Sequence, residues 1–253
     1  MPKNTKNVKS VGLRPSISVI VPALNEAGNI KKTVQAIMEA LEKQDFSDFE
    51  LIVIDDGSTD GTEKIVDELA VKNNHIKILH NSTPRGLGYN FRIGISLSSK
   101  DYVGWFPGDN ETLPETIDAI FEQIGKTDIV IPYTVNPGVR SMYRQLLSST
   151  YSLLFNVIFG LHLKYFNGPC FFRHDLLKTI VMSTDGPAYM AEILIQLVKN
   201  GDVSYIEVPM YIKARNYGKA SVLKWKNVYL IGKTIISLIN KVYLNRSQNK
   251  LTK

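Results

Sequence analysis

The chain has 253 residues, 44% hydrophobic and 21% charged, with a formal net charge of +6. That length suits one large α/β domain, and the mix is that of a globular protein rather than a disordered one. The single Cys170 excludes an intrachain disulfide and a cysteine-built zinc site.

Residues 1–10 are polar with no apolar core, unlike a secretory signal, so residues 1–15 are expected to be a disordered arm on the cytoplasmic side. Residues 16–22 are apolar and β-branched, as a strand buried on both faces should be. Residues 27–43 place Ile30, Val34, Ile37, Met38 and Leu41 at helical spacing, with Asn25 as candidate cap. A strand over 50–55, a helix over 62–72 and a strand over 76–80 follow. Pro84-Arg-Gly-Leu-Gly-Tyr-Asn-Phe-Arg92 turns into a helix whose first amides could face an anion. A fourth strand over 102–106, a helix opened by Pro114 and a fifth strand over 128–132 complete the alternation. Such a β-α-β-α order predicts a mostly parallel sheet with helices on both faces. No stretch reaches the ~18 strongly apolar residues of a spanning helix, and no repeat appears.

The second half is less regular. Residues 142–163 read as one or two helices, 167–173 as a loop entering a short strand, 187–199 as a helix stopped by Asn200-Gly201, and 203–210 as a strand. After Glu207 there are ten lysines and arginines and no acidic residue, which leaves the rest of the chain net acidic. From Ser221 onward aliphatics and lysines alternate as in an amphipathic helix, so 222–253 is expected to be a basic tail on a membrane or on another subunit. The basic residues lie on no groove-reading element, which argues against nucleic acid. The four histidines have no metal-ligand spacing and read as structural.

Three strands end in acidic tips: Val19-Ile-Val-Pro-Ala-Leu-Asn-Glu26, Leu51-Ile-Val-Ile-Asp-Asp-Gly-Ser-Thr-Asp60 and Asp101-Tyr-Val-Gly-Trp-Phe-Pro-Gly-Asp-Asn-Glu111. Ligands of open α/β sheets bind beyond the carboxyl ends of the strands. Tips meeting there suggest a site for a divalent cation and a phosphorylated ligand, while Asp60 suits a turn.

These tips, with Gly86-Leu-Gly88, Asn167-Gly-Pro-Cys-Phe-Phe-Arg173, Glu192, Glu207-Val-Pro209 and Arg215-Asn-Tyr-Gly218, resemble glycosyltransferase family 2, and within it the dolichyl-phosphate mannose synthase group. The resemblance covers residues 16–221. It implies a GT-A-like α/β domain, its nucleotide-binding half over 16–132 and its acceptor half over 133–221. The donor, a GDP- or UDP-sugar, would be held by Pro22, Leu24, Glu26, Ile54, Asp56, Gly86, Gly108 and Asp109. Asp109, with Glu111, would bind Mg²⁺ or Mn²⁺. Arg140, Arg144, Arg215, Lys219 and Lys224 would meet acceptor and donor phosphates, with Asp109, Arg215 and Glu192 as the catalytic set.

The chain departs from the family pattern in three places. Pro107 replaces the first Asp of Asp-x-Asp. Thr134 stands where an arginine follows the fifth strand, with Arg140 and Arg144 as substitutes. Ser221 replaces a lysine that Lys219 or Lys224 could supply. The leading expectation is an inverting transferase, peripheral on the cytoplasmic membrane face, that moves a sugar to a polyprenyl (dolichyl or undecaprenyl) phosphate. A second is glycan extension on a sugar hydroxyl with Glu192 as base. A third is a donor-binding regulatory subunit. Self-association is left open.

Overall fold

Ile17, Val19, Ile20 and Val21 of the first strand, β1 (Ile17–Ala23), are completely enclosed, as the unbroken apolar run requires of a strand covered on both sides. In the computed structural model, which describes residues 14–200, 202–214 and 225–244, β1 lies third in a seven-stranded sheet. Parallel neighbours β2 (Phe49–Asp55) and β3 (Ile76–His80) flank it on one side and β4 (Tyr102–Trp105) on the other. Helices α1 (Ile30–Lys43), α2 (Thr62–Lys72) and α3 (Leu87–Leu97) connect these strands. Next come α4 (Pro114–Phe121), β5 (Ile129–Thr134), a 3₁₀ turn (Pro137–Val139), α5 (Met142–Phe159), β6 (Phe171–Arg173) and the short α6 (His174–Leu177). Helix α7 (Tyr189–Asn200), β7 (Tyr205–Met210) and α8 (Trp225–Ile239), prolonged by a π turn (Asn240–Leu244), complete the described chain. The strand order is β3-β2-β1-β4-β6-β5-β7, and β6 runs antiparallel between β4 and β5.

Alternate residues of each strand feed two cores. Val19, Val21, Leu51 and Val53 face α1, α2 and α4 through Ile30, Ile37, Val66 and Phe121. Ile20, Ile52, Ile54, Val103 and Ile131 face the other way, onto Phe91 of α3, Phe155 and Phe159 of α5, and Ile193 and Leu194 of α7. Leu238 of α8 and Val242 of the π turn are buried in this second core. The segment expected to be a separate tail is therefore, over 225–244, partly a core element.

Pro114 opens α4 as expected, but Asn25 does not cap α1, whose N-cap position is Asn29. Asn25 takes a left-handed backbone (φ 56°), and its side-chain oxygen accepts from the Thr59 amide at 2.8 Å. It ties the β1 tip to the β2 tip instead. Residues 1–13 of the expected arm and 222–224 and 245–253 of the expected tail lie outside the described residues.

Candidate active site

The three acidic tips are neighbours because β1 lies between β2 and β4. The Asp56 amide donates to the Ala23 carbonyl at 2.8 Å, and the Gly108 amide to the Pro22 carbonyl at 3.1 Å. The tip carrying Glu26 is thus fastened on one side to that of Asp56 and on the other to that of Asp109. Asp60 completes the clasp. One carboxylate oxygen accepts from the Ala27 amide (3.1 Å), the other from the Thr62 amide (3.1 Å) and hydroxyl (2.6 Å). Burial opposes its charge, but these bonds outweigh that and hold its pKa below the usual carboxylate value. Glu26 is buried and accepts from the Asn29 side chain at 2.7 Å, while Leu24 is exposed beside it.

Asp56 is also buried. One oxygen accepts from Asn81 Nδ2 (2.9 Å) and the Arg85 amide (2.8 Å), and the other from the Gly86 amide (2.9 Å). Two amides of the turn before α3, those of Arg85 and Gly86, are thus spent on this carboxylate. Asp56 is the post on which the loop before α3 is wound, and Gly86 (φ 91°) lets the backbone turn there. Ile54, expected at the donor, is fully enclosed in the core with Ile20 and Phe91. Its side chain points into the sheet's packed face, because a strand residue one step before the tip still alternates inward.

Past β4, Asp109 is half-exposed and its Oδ1 accepts from the Glu111 amide at 3.0 Å. Glu111, expected beside it as metal ligand, is buried with its carboxylate 3.6 Å from Arg140 Nη2. Of the two carboxylates at this tip Asp109 is the less buried, and carboxylate oxygens are donors that suit a divalent cation. Among the described residues the metal-competent group of His, Asp and Glu is a different one, Glu63, Asp67 and His80, on α2 and β3.

Arg140 and Arg144 both line a cavity of about 1080 Å³ between the end of β5, α5, the 164–167 segment and α8. Sequence reasoning missed most of its other lining residues. These include Lys164 and Tyr165, whereas Thr134 and Asn167 had been singled out in the sequence without a place in a cavity. Among the described residues three cations and no carboxylate line it. Lys164 is fixed at the rim, its ammonium 4.0 Å over the Tyr133 ring.

Glu192 does not serve this space as a base. It is fully enclosed on α7 and accepts from the Ser183 amide (2.9 Å), the Ser183 hydroxyl, the Thr184 amide (3.1 Å) and Lys241 Nζ (2.9 Å). Four donors and no exposure leave it nothing with which to meet an acceptor hydroxyl. Its work is to pin residues 183–184 and the π turn after α8 to α7. Arg215, Lys219 and Lys224 lie outside the described residues.

Residues 18–181 match the family model described as glycosyl transferase family 2. The chain is 27% identical over 242 residues to dolichol-phosphate mannosyltransferase of Saccharomyces cerevisiae, covering 89% of this chain and 85% of that one. To undecaprenyl-phosphate mannosyltransferase of Micrococcus luteus it is 25% identical over 218 residues, covering 81% and 87%. Against the glycosyltransferase GlyG of Streptococcus pneumoniae the match is 29% over 112 residues, 44% of this chain and 36% of that protein. Among solved structures, glucosyl-3-phosphoglycerate synthase of Mycobacterium tuberculosis, in complex with Mn²⁺, UDP and glucosyl-3-phosphoglycerate, superposes with a TM-score of 0.58. Its identity is 18%, over 90% of this chain and 79% of that one. TarS of S. aureus with UDP-GlcNAc gives 0.60 at 21% identity, over 90% and 67%. The fold is that of the GT-A glycosyltransferases, and the chain belongs to glycosyl transferase family 2 and is a glycosyltransferase.

Proposed function

We propose that this glycosyltransferase moves a sugar, with inversion, from a GDP- or UDP-sugar to a polyprenyl phosphate at a membrane surface. The cavity carries the reading: it is large, lined among the described residues by Arg140, Arg144 and Lys164 without a carboxylate, and walled by α5 and α8. Both helices also show apolar side chains to the outside, Met142, Leu146 and Val157 on α5 and Tyr229 and Ile236 on α8. An anionic head on an apolar chain matches both features. The two mannosyltransferase relatives are named for acceptors of this kind.

A phosphate acceptor also removes the need for a base. Its oxygen is already anionic at neutral pH, whereas a sugar hydroxyl must lose a proton to attack. With Glu192 sealed inside the protein, the glycan-extension reading has lost its candidate base. In the proposed reaction an acceptor phosphate oxygen bonds to the anomeric carbon from the face opposite the nucleotide. The carbon–oxygen bond to the diphosphate breaks and its electron pair leaves with the nucleoside diphosphate. Asp109 would hold the Mg²⁺ or Mn²⁺ that, when bound, neutralises charge on that leaving group. Asp56 keeps the loop before α3 in place beside the donor, and Glu26 borders it from the β1 tip.

The test is a screen of GDP- and UDP-sugars with a short polyprenyl phosphate, read by the mass of the lipid product. A lipid-linked monosaccharide is expected from one donor. Asp109→Asn should lower turnover by at least about 100-fold, the usual effect of removing a group that stabilises leaving-group charge. Transfer only to a sugar hydroxyl would sink the reading.

A further inference from the structure

Between α6 and α7 the chain runs from residue 178 to residue 188 without helix or strand. Its stretch over 181–187 is placed by side chains. The Ser183 and Thr184 amides donate to Glu192 Oε2 at 2.9 and 3.1 Å, and the Gly186 amide to Thr184 Oγ1 at 3.0 Å. The Val181 carbonyl accepts from Gln196 Nε2 at 3.2 Å and from Lys241 Nζ at 3.1 Å. Backbone without a ladder of its own sits where its clasps put it, and shifts when they shift.

Two helices with different duties hold this stretch. One is α8. Lys241, in the π turn that prolongs it, bonds the Ser183 hydroxyl at 3.0 Å and Glu192 at 2.9 Å as well as the Val181 carbonyl. A Cβ at Gly186 would already meet Leu230 of α8 at 3.4 Å. The outer face of the same helix shows Tyr229 and Ile236. The other is α3. Arg92 grips both Asp185 oxygens, at 3.0 Å from Nε and 2.9 Å from Nη2, and the Asp185 carbonyl lies against Gly88. The Arg92 guanidinium is 5.3 Å over the Tyr89 ring, and Arg85 stacks on that ring at 4.4 Å. Arg85 and Gly86 are the residues whose amides wind the loop onto Asp56. A bidentate guanidinium–carboxylate pair fixes direction as well as distance. A displacement of α8 is therefore carried through 181–187 to the loop before α3.

We propose that 181–187 is a strap through which a lipid surface bound at the outer face of α8 tightens nucleotide binding, with Arg92 and Asp185 as its donor-side clasp. The link rests on the proposed function, which puts the loop before α3 beside the donor and α8 against a membrane. A surface that holds α8 in one position has already ordered the strap, so the nucleotide has less of the loop left to order. Linkage then requires the nucleotide to strengthen vesicle binding by the same factor.

The experiment uses the full chain and vesicles of phosphatidylcholine and phosphatidylglycerol, with no acceptor lipid. Calorimetry gives the affinity for Mn²⁺ with UDP or GDP, with and without vesicles. Co-sedimentation gives vesicle binding, with and without Mn²⁺ and nucleotide. In wild type each ligand should tighten the other by about fivefold, the lower end of ordinary coupling between sites. Asp185→Asn and Arg92→Gln should each abolish both enhancements, and the double variant should lose no more than either, as residues acting in one contact do. Vesicle-free nucleotide affinity and nucleotide-free vesicle binding should stay within about twofold, and unchanged melting temperatures show that the variants are folded. Wild type that does not sediment with vesicles removes the membrane reading and the strap with it. Sedimentation with unchanged nucleotide affinity leaves the membrane reading and overturns the strap. Enhancement retained in both single variants overturns the route through Asp185. Unequal factors in the two directions, measured on wild type alone, overturn the coupling itself.

Discussion

His80, at the end of β3, has its ring held between two carboxylates, Asp55 at 3.2 Å from Nδ1 and Asp67 at 3.1 Å from Nε2. Burial opposes charging the ring, but the bonds to Asp55 and Asp67 outweigh it and raise the pKa above the usual histidine value. A raised folded-state pKa contributes stability that is fully present below the unfolded value, about 6.5, and is lost as pH rises through the folded value. Urea midpoints of wild type and His80→Gln should therefore differ most at pH 5.5 and converge by pH 9. An equal gap at both ends would show that the ring acts by packing alone. Single residues were legible where chemistry follows from position on a strand tip. Glu26, Asp56 and Asp109 lie on adjoining tips because parallel strands bring their carboxyl ends to one edge. Glu192 and Ile54 were not legible, since burial depends on what packs over a residue, and its neighbours in the chain do not record that.

Among elements, α8 is where periodicity and packing part company. Its aliphatic and basic alternation reads as an amphipathic surface helix, yet Leu238 is buried and Lys241 reaches Glu192 from the turn that follows. Glu192→Gln leaves Lys241 facing a buried amide, and breaking such a pair costs about 3–5 kcal/mol. Urea unfolding should show that loss, with part of it recovered in Glu192→Gln/Lys241→Met. Turnover at temperatures where Glu192→Gln is folded should stay within a few-fold of wild type. A second joint lies between α3 and the segment before α7. Arg92 binds Asp185 through two bonds of 3.0 and 2.9 Å, and a Cβ at Gly88 would sit 2.6 Å from the Asp185 carbonyl oxygen. Gly88→Ala must push backbone against backbone, so about 1–3 kcal/mol of stability should go with it. The first five strands and four helices were readable to within a few residues, because each pairs a clear period with a turn signal. The antiparallel course of β6 was not, since three residues, Phe171–Arg173, carry no period.

For the whole molecule, no helix among the described residues is long and apolar enough to cross a membrane. Under the proposed function the outer faces of α5 and α8 supply an attachment surface among the described residues. Met142, Leu146, Leu153 and Val157 repeat along α5 at helical spacing and are exposed, as are Tyr229 and Ile236 on α8. Removing 222–253 would also remove core residues, so point changes are the better probe. Val157→Asp with Ile236→Asp should reduce co-sedimentation with anionic vesicles by about tenfold, in line with ~25 cal/mol per Å² of lost apolar contact. Donor binding should be unaffected. Equal vesicle binding by this variant and wild type would move the contact surface elsewhere.

The reversed strand β6 has a consequence for biosynthesis. It occupies the slot between β4 and β5, pairing Val103 with Phe172 and Val130 with Phe171. A nascent chain that has emerged only as far as β5 holds two strands with facing, unfilled edges and no means of joining them. Closure waits for some forty more residues, so the part of the chain up to β5 cannot mature ahead of the rest. A ribosome stalled after residue 135 should present a protease-sensitive, chaperone-bound intermediate, and one stalled well past the end of β7 should not.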